Sequence, residues 1–151
     1  MSRVKRIIVA VLIIVFVLGC VSGCGKKEAT VNRKAITKEV GIDVSAGKER
    51  YANIFEADNG NILYTIVYED NALEDLVKEA EHWHALPMEP EFAELLQNII
   101  PNAEAGYYYF RNMDKKADDK YDSAVITEGT KNFVVSVYDV KKMILYYVEV
   151  K

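Results

Sequence analysis

The pair Asn59-Gly60 stands between two runs, 51–58 and 61–68, that are rich in apolar and aromatic residues. Both central residues of a type I′ turn need positive φ, which Asn and Gly tolerate best, and the twist of that turn suits two antiparallel strands. The chain is therefore expected to fold back here as a hairpin, which commits it to an antiparallel sheet. A two-residue turn pairs Phe55 with Tyr64 and Tyr51 with Tyr68. One face then carries Tyr51, Phe55, Ile62, Tyr64, Ile66 and Tyr68, and the other Ala52, Ile54, Leu63, Thr65 and Val67. A shorter strand is expected at 40–44.

After the hairpin the apolar period lengthens. Asn71 followed by Glu74 makes a capping box, and Leu73, Leu76, Val77 and Ala80 then share one helical face. Glu74 and Lys78 supply an i,i+4 pair, and the helix is expected to stop near His84. A second helix starts at Pro90, where the missing N–H costs nothing, buries Phe92, Leu95, Leu96 and Ile99, and ends at Pro101. Alternation returns at 107–111, 133–138 and 143–150, with a short stretch near 124–127 and a turn at 139–142. The fold class predicted is α+β: an antiparallel sheet of about five strands with two consecutive helices inserted after an N-terminal hairpin and packed on one face.

The chain has 151 residues, of which 28% are charged, so a single core fits once its leading segment is set aside. Arg3, Lys5 and Arg6 precede an unbroken apolar run at 7–18, the n-region and h-region of an export signal. An uncleaved anchor helix is the alternative that this run allows. The following Val21-Ser22-Gly23-Cys24 resembles the lipobox of bacterial lipoproteins, and Val17-Leu18-Gly19-Cys20 resembles it less well, because bulky Leu18 takes a small residue's place. What the resemblance implies is diacylglycerol transfer to the Cys24 sulfur (less favourably Cys20) and cleavage after Gly23, with acylation of the freed amino group as a further step open to such proteins. The expected organisation is a signal peptide at 1–23, a lipidated cysteine and basic tether at 24–39, and one α+β domain at 40–151. Two or more acyl chains hold a protein stably on a membrane. Both cysteines lie at positions 20 and 24, so the rest of the chain has no disulfide, cysteine nucleophile or zinc-thiolate site.

Charge divides the mature chain. Residues 25–50 carry seven basic and four acidic side chains, whereas 51–151 carry nine basic and nineteen acidic. Basic groups near an anionic bilayer are each worth roughly 1 kcal/mol, so the tether, with Lys26 and Lys27, either lies against lipid or serves as a solvated spacer. A net acidic domain excludes nucleic acid as the expected partner.

Four features bear on chemistry. His82-Trp83-His84 has i,i+2 spacing, which on a helix sends the rings to different sides, whereas helical zinc ligands need i,i+4. Trp83 then anchors the core or its rim. Asp114, Asp118, Asp119 and Asp122 are interleaved with Lys115, Lys116 and Lys120 and lack EF-hand spacing, so a solvated loop is expected rather than a calcium site. No metal or cofactor is expected. The chain has ten tyrosines, and the runs Tyr107-Tyr108-Tyr109-Phe110 and Tyr146-Tyr147 place rings on both sheet faces. Tyr108, Tyr146, Tyr107 and Trp83 are thus the candidate binding surface, the alternative being that both faces are covered. Ser123 and Ser136 are the only serines after residue 50, and neither a Gly-x-Ser-x-Gly elbow nor a phosphate loop occurs.

The stretch Gly106-Tyr107-Tyr108-Tyr109-Phe110-Arg111, its Asp/Lys loop, Asn132-Phe133-Val134-Val135-Ser136-Val137-Tyr138-Asp139 and Leu145-Tyr146-Tyr147 resemble the C-terminal part of uncharacterised small membrane-associated proteins of Gram-positive bacteria. The resemblance covers the last third of the chain and implies a Gram-positive source, with the lipid in the outer leaflet of the cell membrane. The expected role is a non-catalytic accessory module on the extracytoplasmic face that binds another envelope protein or a peptide. Two alternatives stand beside it: an immunity or inhibitor lipoprotein facing a basic toxin, and a small ligand-binding or hydrolytic domain.

Overall fold

The computed structural model describes residues 30–57, 59–116, 118–125 and 130–151. In chain order they form α1 (Arg33–Val40), β1 (Glu49–Glu56), β2 (Ile62–Tyr68), α2 (Ala72–Glu79), β3 (Trp83–Ala85), α3 (Pro90–Leu96), β4 (Gly106–Asn112), β5 (Phe133–Asp139) and β6 (Ile144–Val150). The 3-10 turns Asp118–Tyr121 and Ser123–Val125 lie between β4 and β5. The strands make one antiparallel sheet in the order β1-β2-β6-β5-β4-β3. The class is α+β as expected, with six strands and three helices among the described residues.

The expected strand at 40–44 is instead the end of a helix and a turn. Asn32 caps α1 by accepting the Ala35 N–H at 3.1 Å, and Gly41, at φ 74°, closes it with its N–H on the Thr37 carbonyl. An L-residue pays for that left-handed conformation and glycine does not. The alternating Val40, Ile42 and Val44 are all buried, but by a helix end and a turn rather than by a pleat. Residues 30–39, read from the sequence as the end of the tether, contribute Val31 and Ile36 to the same core.

The hairpin is present with a register one residue from the expected one. The Ala57 N–H donates to the Asn61 carbonyl and the Gly60 N–H to the Ala57 carbonyl, with Gly60 at φ 83°. Three residues therefore lie between the closing pair, the loop type that places glycine in the left-handed position. Phe55 faces Leu63 and Tyr51 faces Val67, not Tyr64 and Tyr68. Because side chains alternate with period 2, this slip moves Tyr51 and Phe55 to the face of Leu63 and Thr65, opposite Tyr64 and Ile66.

Two cores result. On the first face α1, α2 and the turn after α1 cover Ile66, Tyr68, Trp83, Tyr109, Tyr138, Leu145 and Tyr147. Glu39 of α1 accepts a two-pronged pair from Arg111 of β4 and a hydroxyl from Tyr109. On the second face α3 brings Phe92 and Leu96 against Tyr108, Phe110, Val135 and Val137. Helices thus lie on both faces, not one. α3 packs on the β4–β5 side, so among the described residues no helix lies over the β1–β2 end of the second face.

The helices differ from expectation at their ends. Leu73 and Val77 of α2 are buried while Leu76 is exposed, and α2 stops at Glu79, well before His84. The Glu74–Lys78 pair forms at 2.8 Å, but Asn71 makes no side-chain cap bond and instead accepts the Tyr138 hydroxyl. α3 starts at Pro90 as expected. It buries Phe92 and Leu96, and Ile100 takes the place expected for Ile99. Residues 123–125, where a strand was expected, form a 3-10 turn, and 126–127 lie outside the described residues.

Candidate functional site

The β3 edge gathers a group of polar side chains from several segments around one cleft. His82, at φ 65°, turns the chain from α2 into β3 and stacks its ring on Tyr121 with centroids 3.5 Å apart. β3 is only three residues long, and its pairing of Trp83 with Tyr109 and His84 with Tyr108 holds it to β4. The Trp83 indole N–H donates to the Val40 carbonyl at 2.8 Å, which locks the strand to α1 from beneath. His82-Trp83-His84 is therefore a turn and strand, not a helix end. Alternation sends Trp83 into the first core and His84 to the second face.

There the His84 ring lies 5.4 Å from that of Tyr108. The Tyr108 hydroxyl donates to Glu89 Oε2 at 3.0 Å, and the Ser123 hydroxyl donates to the same oxygen at 2.7 Å. Glu89 immediately precedes Pro90 at the start of α3, and Ser123 belongs to a 3-10 turn fixed by Asp122, which accepts the Ala124 N–H. His82, Tyr121 and Asp122 complete a cleft of about 270 Å³. The Ser123 hydroxyl, helped by that of Tyr108 and by nearby His84, holds the Glu89 carboxyl below the ordinary carboxylate range. Glu89 is thus a fixed anion at neutral pH.

Such an arrangement can accept a hydrogen-bond donor or a cation between aromatic rings. Lys120 already places its ammonium 4.8 Å from the Tyr121 ring centre. Ser123 gives its proton to a carboxylate, not to a histidine, so its geometry is that of a positioning donor. The surroundings reinforce the sign: residues 69–105, which contain α2, β3 and α3, carry ten acidic side chains and one lysine.

The expected binding rings are placed differently than alternation alone suggested. Tyr108 and Tyr146 are buried in the second core and Trp83 in the first, and Tyr107 is half-buried. Only the Tyr108 hydroxyl reaches a cleft. Tyr146 sits in β6, paired with Val137 and Thr65, away from this site. Burial pushes the phenols of Tyr108 and Tyr146 up. The exposed rings are instead Tyr51, at 54% of its full exposure, and Phe55, at 62%. Cys24 and Cys20 lie outside the described residues. Asp114 accepts from Asn132, Asp119 lies 3.9 Å from the Lys115 ammonium and Asp122 caps its own turn; the Asp118 side chain is outside the described residues. Among the described residues no three acidic or histidine side chains converge as a metal site.

Sequence reasoning missed Glu89 and the grouping of Ser123 with His84. No spacing could have revealed it, since the four partners come from four separate segments. No protein-family model matches this sequence, and no curated protein or solved structure is significantly similar to it.

Proposed function

We propose that the chain is a lipoprotein anchored through Cys24 on the extracytoplasmic face of a Gram-positive cell membrane. It works by binding rather than catalysis, and its partner-facing site is the acidic end of the sheet centred on Glu89. The observation that carries this reading is a carboxylate held ionised by two hydroxyls, in a cleft inside a stretch of ten acidic residues and one basic residue. Concentrated charge of one sign steers an oppositely charged partner and sets its orientation. The partner is thus a basic segment of an envelope protein or peptide, with a lysine or arginine seated at Glu89. The same acidic end favours, as a second reading, an inhibitor or immunity role against a basic toxin.

The test is in-cell crosslinking and pull-down of the full lipidated chain at low and high salt, beside Glu89→Gln and Cys24→Ser forms. One basic envelope protein should be recovered, lost at high salt, and reduced about tenfold by Glu89→Gln, as loss of one well-placed charge contact implies. Recovery indifferent to both salt and Glu89→Gln would overturn the assignment of the site. An unchanged membrane fraction for Cys24→Ser would overturn the anchor.

A further inference from the structure

Among the described residues no helix covers the β1–β2 end of the second face. Tyr51 and Phe55 project from it, beside the half-buried Leu63 and Thr65. Among the described residues β1 is also an edge strand of the sheet. Large exposed rings on an uncovered face mark a surface that meets something less polar than water.

The path of the chain says what that is. The described chain begins at this edge strand, over the first face: Thr30 and Val31 line one cleft with Ala52, Asn53 and Ile54, and Arg33 grips Glu49 of β1 through both arms of its guanidinium. Six residue steps separate Thr30 from Cys24, and even fully extended they span at most about 21 Å. A lipid on Cys24 therefore keeps β1 close to the bilayer. The opposite edge, five strand spacings away, stands about 24 Å further along the sheet.

Charge selects the same orientation. Residues 30–68, containing α1 and the hairpin, carry five basic and five acidic side chains, whereas residues 71–105, containing α2, β3 and α3, carry eight acidic and one basic. An anionic headgroup layer repels the second region and is indifferent to the first. Aromatic side chains are favoured where an apolar layer meets a wet one, and the outer N–H and C=O groups of an edge strand stay hydrated among headgroups.

We propose that the aromatic end of the second face, Tyr51 and Phe55 with Leu63 and Thr65, rests on the headgroup layer of the anchoring membrane, so that the Glu89 cleft faces away from it. The occupant of this face is lipid. The proposal rests on the anchor at Cys24.

The test is photo-crosslinking of the full lipidated chain with benzoylphenylalanine at Phe55 or, separately, at Glu91 on α3, in vesicles of phosphatidylcholine and phosphatidylglycerol. Lipid adducts should form at position 55 at least about tenfold more than at 91. A chain that floats with the vesicles yet gives no lipid adduct at 55 overturns the membrane face and leaves the anchor standing. A chain-to-chain adduct at 55 overturns it in favour of two β1 edges pairing. Should Cys24 prove not to be lipidated in cells, the same two positions are read in a Cys20→Ser chain whose Cys24 thiol has been coupled to a maleimide phospholipid. Lipid adducts at 55 there support the face while the native anchor fails, and their absence sinks the face as well.

Discussion

At one edge of the sheet a three-residue strand is held between helices, and Tyr108, Tyr109 and Phe110 beside it are buried; at the other edge an eight-residue strand leaves Tyr51 and Phe55 in solvent. The difference lies in what lies over each edge, since the strands at both carry aromatic rings. An amphipathic helix that buries one stripe must present polar residues on its outer side. α2 and α3 cover the β3–β4 rings and so bring Glu74, Asp75, Glu79, Glu91 and Glu94 to that end. Burial of rings and accumulation of carboxylates are two consequences of the same packing, and the end without it keeps exposed rings and a balanced charge.

The sharpest way to break this contrast is to truncate one phenylalanine at each end of the same face. Phe110→Ala removes a fully buried ring and should cost about 3–5 kcal/mol. Phe55→Ala removes a mostly exposed one and should change stability by no more than about 0.5 kcal/mol. Denaturant unfolding of the full chain in detergent measures both, and similar costs would mean that the β1 end is covered after all.

A smaller effect should appear at alkaline pH. Burial raises the phenols of Tyr68, Tyr109 and Tyr147 far above their ordinary value and pushes that of Tyr138 up to about 12. The folded form holds these protons more tightly than the unfolded chain, so their contribution is complete below the ordinary tyrosine value of about 10 and is lost as pH rises above it. Circular dichroism and phenolate absorbance should change together above pH of about 10. Phenolate forming at these four rings without loss of structure would show that they are not sealed by the helices.

The smallest effect concerns the cleft. Ser123→Ala removes the shorter bond to Glu89 and should cost about 1 kcal/mol. The Glu89 carboxyl is depressed in the folded chain, so its contribution is present above the ordinary carboxylate value of about 4.5 and is lost as pH falls below it. Glu89→Gln should flatten that acid limb. An unchanged acid limb in Glu89→Gln would detach the carboxylate from the stability of this end.

What could be read from the chain follows how local each cause is. Pro90 starts a helix, Glu74 meets Lys78, and the runs at 107–111, 133–138 and 143–150 are strands, because each depends on residues a few positions apart. The hairpin was legible but its register was not. Asn59-Gly60 serves a two-residue or a three-residue loop, and only closure at Ala57 and Asn61 decides which face Tyr51 and Phe55 take. Alternating Val40, Ile42 and Val44 read as a strand until Asn32 and Gly41 are seen to bracket a helix. β3 exists only because β4 pairs with it. Alternation correctly put tyrosine rings on both faces, but it carries no information on how far a helix extends over a sheet, which is what separates buried Tyr108 from exposed Tyr51. The Glu89 cleft draws on four segments and has no local signature.

The division of work proposed for the two edges of one sheet sets the β1 edge against lipid and the β3 edge toward a basic partner. Its most direct test is illumination of intact cells expressing the full chain with the photo-crosslinker at Phe55 or at Glu91, followed by mass analysis of both adduct sets. The expected result is lipid at 55 and a basic envelope protein at 91. A protein adduct at 55 with lipid at 91 would contradict it, and so would the same adducts at both positions.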